Sequence, residues 1–92
     1  MEQINQELEP FLNRVVVIDA VSPFVFGGTL IAMDHRYLIL ADADVHDLRD
    51  SKTTRDAYIV EMRRHGIRSN RHRVYVSRDQ IVSLSLLADV VE

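Results

Sequence analysis

The feature that most constrains this chain is a set of short strand-like runs split by a long polar stretch. Val15-Val16-Val17-Ile18 is β-branched throughout, Phe24 to Ile31 is apolar around two glycines, and Leu38-Ile39-Leu40-Ala41 follows a brief polar turn. Arg73-Val74-Tyr75-Val76-Ser77 and Ile81-Val82-Ser83-Leu84 come only after the polar stretch. Short runs rich in Val, Ile, Tyr and Phe, bounded by turn residues, read as strands. Ser22-Pro23 marks a hairpin between the first two, and Arg78-Asp79-Gln80 a tight turn between the last two. Phe26, Gly28 and Leu30 fall on one face, where a glycine between large side chains lets a strand bend sharply enough to close a small barrel. The 92 residues hold apolar material for one small core, so residues 1–92 are expected to form one domain. The expected class is mainly β, with five strands in a strongly bent, SH3-like barrel.

Two segments depart from the strand pattern. Ile4, Leu8, Phe11 and Leu12 fall at helical spacing, which predicts an N-terminal helix over about residues 2–12, broken near Glu9 or restarted with Pro10 in its first turn. The excursion between the third and fourth strands, about residues 45–70, is read as helical over 51–66. Thr53 with Asp56 resembles a capping box, Tyr58, Ile59 and Met62 form an apolar stripe, and Gly66 stands as a C-terminal stop. A strand is the competing reading, because Tyr58-Ile59-Val60 favours β structure.

Charge is unevenly distributed. The net charge is -3, yet Met62 to Arg78 holds six arginines, two histidines and no carboxylate, while the remainder carries fourteen acids against five Lys or Arg. Such separation draws a polyanion to one face of an acidic molecule. Alternatively, Arg63, Arg64, Arg68, Arg71 and Arg73 pair with Asp42, Asp44, Asp47 and Asp50 of the same or an adjacent subunit in an ion-pair network. Cysteine is absent, which excludes disulfides and thiolate metal sites. The acidic, polar start lacks the basic region and apolar run of a secretory signal, and no apolar run reaches spanning length, so a cytoplasmic location is expected.

Chemistry-bearing motifs are few. Asp42-x-Asp44-x-His46 hints at a calcium loop, but Asp47 and Thr53 occupy the positions that need glycine and glutamate. His65 and His72 lack the spacing of a zinc pair, and there is neither a nucleophile elbow nor a phosphate-cradling glycine loop. No enzyme, metal or cofactor is expected.

The motifs do resemble a known family. Gly28, Leu30 and Asp34, followed by Leu38 and Leu40, match the first motif of the Sm-like family, and Val76, Asp79, Gln80, Ile81 and Leu84 match the second. The chain looks like a divergent, bacterial-type member. Tyr37 falls in the turn where asparagine is usual, in a turn one residue short, and Ser77 and Arg78 stand where arginine and glycine are usual. The resemblance implies a ring of sister copies joined fourth strand to fifth strand, with single-stranded RNA bound at the rim of the central hole.

Carried onto this sequence, that resemblance implies a nucleic-acid site of Asp34, Arg36, Tyr37, Ser77 and Arg78, with the 63–73 arginines as an accessory basic surface. The missing asparagine and arginine predict weak or sequence-tolerant binding, by charge and stacking. Each residue also has a plainer reading. Asp34 caps its own turn, Tyr37 is a barrel-end core aromatic, and Arg78 is a solvated turn residue. The alternative function is an oligomeric scaffold that binds no nucleic acid and docks a partner protein or sister subunit through Tyr58, Ile59 and Met62. A different SH3-like or oligonucleotide-binding barrel is the competing fold.

Overall fold

A computed structural model describes residues 7–92. Its core is one antiparallel sheet of β1 (Val15–Ala20), β2 (Phe24–Met33), β3 (Tyr37–Asp47), β4 (Arg71–Ser77) and β5 (Ile81–Leu86), in the order β4-β3-β2-β1-β5. One helix, α1 (Arg55–His65), lies between β3 and β4. The five expected strands are present, but the sheet is bent and unclosed: β4 and β5 are its two edges and do not pair with each other.

The β-branched run of β1 has a direct cause. Successive side chains on a strand point to opposite faces. Val16 and Ile18 enter one core with Leu30, Leu38, Leu40, Ala43 and Val76, while Val17 enters a second with Val25 and Met62. A central strand buried on both faces has no use for a polar alternation.

The glycines of β2 permit the bend. Register with β3 shifts between Gly27 and Thr29 and again between Leu30 and Ala32. A Cβ on Gly28 would lie 3.0 Å from both Cα and Cβ of Ala43, so the two strands approach too closely for a side chain there.

Strand β3 is longer than its expected span of 38–41, running on through the acidic residues Asp42 and Asp44 to Asp47. Asp42, at φ 49, makes this possible. That left-handed residue turns the alternation by one step, so Ala43 reaches the core and the acids around it stay at the surface or partly covered.

The mid-chain helix is shorter than the expected 51–66, and its cap is one residue later. Thr54, not Thr53, accepts a hydrogen bond at Oγ1 from the Ala57 N–H at 3.1 Å. Gly66, at φ 82, ends the helix, its N–H donating to the Met62 carbonyl at 2.8 Å. The expected N-terminal helix lies partly outside the described residues; its described part is α-helical at Glu7 and Leu8 and tightens into a 3-10 turn, Glu9–Phe11, with Pro10 in the first turn.

The stripe Tyr58, Ile59 and Met62 packs inward. These residues close the second core, which Leu48, Ile67, Leu87 and Val90 complete. This corrects the expectation that the stripe is a docking surface, because the sheet's own Val17 and Val25 already occupy it. Burying Met62 contributes about 1.5–3 kcal/mol. Arg55 adds a polar tether, with Nη1 3.1 Å from Asp19 Oδ1.

Tyr58 lies flat against His46, ring centroids 4.1 Å apart, and its hydroxyl is buried without a partner among the described residues. An unsatisfied buried hydroxyl costs about 1–3 kcal/mol. Tyr58→Phe is therefore expected to raise stability by about 1 kcal/mol in urea unfolding, and a loss would show that the hydroxyl makes a bond in solution.

Candidate nucleic-acid interface

The turn between β2 and β3 is organised by one carboxylate. Asp34 Oδ1 accepts from the N–H groups of Arg36 and Tyr37, both at 2.7 Å. Aspartate favours such turns because its short side chain reaches backbone donors two and three residues ahead. The turn-capping reading of Asp34 is thus what the geometry displays.

These two bonds also lower the Asp34 pKa. The Arg36 amide is the largest cause, then that of Tyr37; desolvation opposes them, and the nearby His35 and Arg78 add the least. A depressed folded value means that the stabilisation is present above the unfolded value and is lost as pH falls through the folded one. Asp34 is accordingly expected to titrate below the ordinary 3.8 in a carboxyl-detected NMR titration. Asp34→Asn should remove that part of the acid-unfolding profile. A normal Asp34 midpoint would show that the turn is open in solution.

Arg78, far along the chain, joins this turn to the β4–β5 turn. Its Nη1 donates to the Asp34 carbonyl at 2.6 Å, and its backbone N–H donates to the Arg36 carbonyl at 2.9 Å. It is half-buried, which corrects the solvated-turn reading. Ser77 pairs directly with Tyr37 across the sheet. All five expected site residues, Asp34, Arg36, Tyr37, Ser77 and Arg78, therefore converge at one end of β3 and β4. A shallow polar cleft there is lined by His35, Arg36, Tyr37, Ser77 and Asp79. His35 and Asp79 are not among the expected site residues, although Asp79 falls in the second motif. Asp79 opposes the arginines, so the cleft alone is not strongly positive.

Tyr37 is not a core residue. It is 37% exposed and meets Tyr75 edge to face, ring centroids 5.8 Å apart and planes at 77°. Tyr75, 57% exposed, is the aromatic that the sequence reading passed over. Its signal is the alternation Val74-Tyr75-Val76, in which both valines pack on the core and the tyrosine points away.

Within one chain, and among the described residues, these arginines form no ion pair with Asp42, Asp44, Asp47 or Asp50. Asp47 is bound by Arg49 at 2.8 Å, and the side-chain bond from that guanidinium is the main cause that lowers its pKa. Asp44 accepts from Asn70 Nδ2 at 2.9 Å, and burial pushes its pKa up. Among the described residues, Arg64 pairs with Glu92 at 2.7 Å, while Arg63, Arg68, Arg71 and Arg73 have no carboxylate within 4.0 Å. Arg63, Arg64 and His65 also sit in the last turn of α1, where positive charge complements the helix dipole.

No protein-family model matches the sequence, and no curated protein matches it. Solved structures do. The chain is similar to the Pyrococcus abyssii Sm protein solved in complex with a uridine heptamer, at a TM-score of 0.60 and 18% identity over 88% of this chain and 93% of that one. The fold is Sm-like. A chain of the NatC complex bound to CoA is also similar, at a TM-score of 0.56 and 15% identity over 86% of this chain and 82% of that one. Among the described residues no helix is long and apolar enough to cross a membrane.

Proposed function

We propose that this Sm-like chain is a homo-oligomeric, ring-forming protein that binds single-stranded RNA by charge and stacking, with little sequence preference. The observation that carries this reading is the convergence of Asp34, Arg36, Tyr37, Ser77 and Arg78 at one end of a fold shared with an Sm protein solved with a uridine heptamer. The two sheet edges, which carry no strand partner among the described residues, support assembly. Edge strands offer free N–H and C=O groups, and joining β4 of one copy to β5 of the next satisfies both in a head-to-tail contact that closes as a ring. Tyr37 supplies a ring on which any base can stack, which accounts for tolerance of sequence. In this reading the protein acts in the cytoplasm, without catalysis, metal or cofactor.

The NatC likeness favours a second reading, a non-RNA-binding subunit of a protein assembly. With Tyr58, Ile59 and Met62 packed on their own sheet, such a scaffold would use the strand edges.

Two measurements test the proposal. Light scattering at micromolar concentration should give a multiple of the 10.6 kDa chain. Anisotropy titrations of labelled RNA against NaCl should give log-log slopes of roughly -0.7 per phosphate contacted. A monomer removes the ring, and no affinity at low salt removes the RNA and leaves the scaffold.

A further inference from the structure

Every second residue of β4 has a common character. Arg71, Arg73, Tyr75 and Ser77 alternate with His72, Val74 and Val76, and Val74 and Val76 pack into the core. By the two-residue period of a strand, Arg73 and Tyr75 face the opposite side of the sheet. Their cross-strand partners on β3 are Ala41 and Ile39, and Tyr37 pairs with Ser77. Ala41 is small and leaves lateral room beside the guanidinium of Arg73. The helix α1 does not cover this part of the sheet, as the exposure of Tyr75 and Arg73 shows.

We propose that the outer face of β4 is a track for single-stranded RNA that continues the turn site, with phosphates on Arg71 and Arg73 and bases stacked on Tyr75 and Tyr37. This deepens the RNA-binding reading and rests on it. The track joins two groups of residues that the sequence presents as separate, the turn and the basic run. At about 3.3 Å per residue, Arg71 to Ser77 extends roughly 20 Å, long enough for several nucleotides.

Three observations favour a nucleic acid over a protein on this face. First, Arg73 has no carboxylate within 4.0 Å among the described residues, and Arg71 donates only to the Asn70 carbonyl beside it, at 3.0 Å. Both charges are therefore available to phosphate. Second, Tyr37 and Tyr75 meet edge to face, so each presents its ring in a different direction and each can take one base. Third, the turn cleft contains Asp79 and is not strongly positive by itself, so the charge that draws in a polyanion has to come from beside it. Asp44, which feels the charge of Arg71 without forming an ion pair with it, accepts from Asn70 Nδ2 instead.

The track is compatible with assembly. Strand pairing at the β4 edge uses backbone groups in the plane of the sheet, whereas Arg73 and Tyr75 stand perpendicular to it.

The test is fluorescence anisotropy of a labelled, unstructured single-stranded RNA against the full chain, over 50 to 300 mM NaCl. Tyr75→Ala should weaken binding about tenfold, and Tyr75→Phe should retain wild-type affinity, because the ring and not the hydroxyl carries the stack. The double variant Arg71→Ala with Arg73→Ala should reduce the salt slope by roughly 1.4. RNA carrying 4-thiouridine should crosslink to the β4 peptide. If the wild-type chain binds RNA while Tyr75→Ala and the double arginine variant bind equally well with the same slope, the track is overturned and the turn site stands. If the wild-type chain binds no RNA at 50 mM NaCl, the RNA reading falls with the track, and the face belongs to a protein partner. Tyr75 and Arg73 are exposed, so circular dichroism of the variants should match wild type, which separates lost binding from lost folding.

Discussion

Gly28→Val is expected to destabilise the fold by about 3 kcal/mol, and Gly27→Val by distinctly less. The two positions adjoin, and both glycines are crowded, but the atoms that crowd them differ. At Gly28 an added Cβ meets Cα and Cβ of Ala43 at 3.0 Å and the Ala41 carbonyl oxygen at 3.1 Å. Those are atoms of the neighbouring strand, held in the β2–β3 ladder, and they cannot withdraw without breaking it. Overpacking a well-filled site costs about 1–3 kcal/mol, and the valine methyls place Gly28 at the upper end. At Gly27 the obstacles are Met62 Sδ and Ile67 Cδ1, the far ends of flexible side chains. Methionine has several torsions with which to move aside. Chemical unfolding of the two variants in parallel checks the prediction. Equal losses would mean that the second core under α1 is as rigid as the ladder.

Leu40→Ala carries the other large effect, an expected loss of about 3 kcal/mol. Leu40 is 0% exposed and lies in the main core with Ile18, Leu30 and Leu38. Truncating a buried leucine loses the transfer energy of the missing atoms and leaves a cavity, for a combined cost of about 2–5 kcal/mol. In a domain of this size each kcal/mol moves the melting temperature by about 4–8 °C, so a drop on the order of 12–24 °C is expected in a thermal melt. Ile39→Ala, one residue away, is the control. Ile39 is half-buried on the outer face, and its truncation should cost much less. If the two variants melted together, the assignment of inner and outer faces on β3 would be wrong, and with it the placement of Tyr37 and Tyr75.

Much of this architecture is legible in the sequence wherever the cause is local. The run at 15–18 must be a strand because three valines and an isoleucine favour a pleated, buried surface. Gly66 reads as a helix stop because a left-handed residue is needed there, and its φ of 82 supplies it. Asp34, with amides two and three residues ahead, reads as a turn cap for the same local reason.

Legibility fails where the cause is distant. Nothing near Met62 says that its target is Gly27, Val17 and Val25 on the back of the sheet, so the apolar stripe of α1 is as consistent with a partner as with the chain itself. The hold of Arg78 on the Asp34 carbonyl links turns separated by two strands and a helix, and neither turn announces the other. The acidic stretch is a different failure. Ala41-Asp42-Ala43-Asp44 continues a strand through the left-handed Asp42, which breaks the two-residue alternation, and the charge obscures it further. Tyr75 belongs with it: its neighbours Val74 and Val76 mark it as outward-facing, and only its position beside Tyr37 gives that orientation a use.

The left-handed Asp42 and the close approach of Gly28 to Ala43 have an implication for how this gene can drift. Both features key the β2–β3 hairpin to a single alignment: sliding one strand by a residue would drive a side chain into the Gly28 gap and turn the inner leucines outward. Single-codon insertions or deletions between residues 34 and 36 should therefore be lethal to the fold. The same changes at Lys52 or at Arg68-Ser69, between the Ser51 and Thr54 contacts and ahead of the Asn70 bonds to β3, should cost far less.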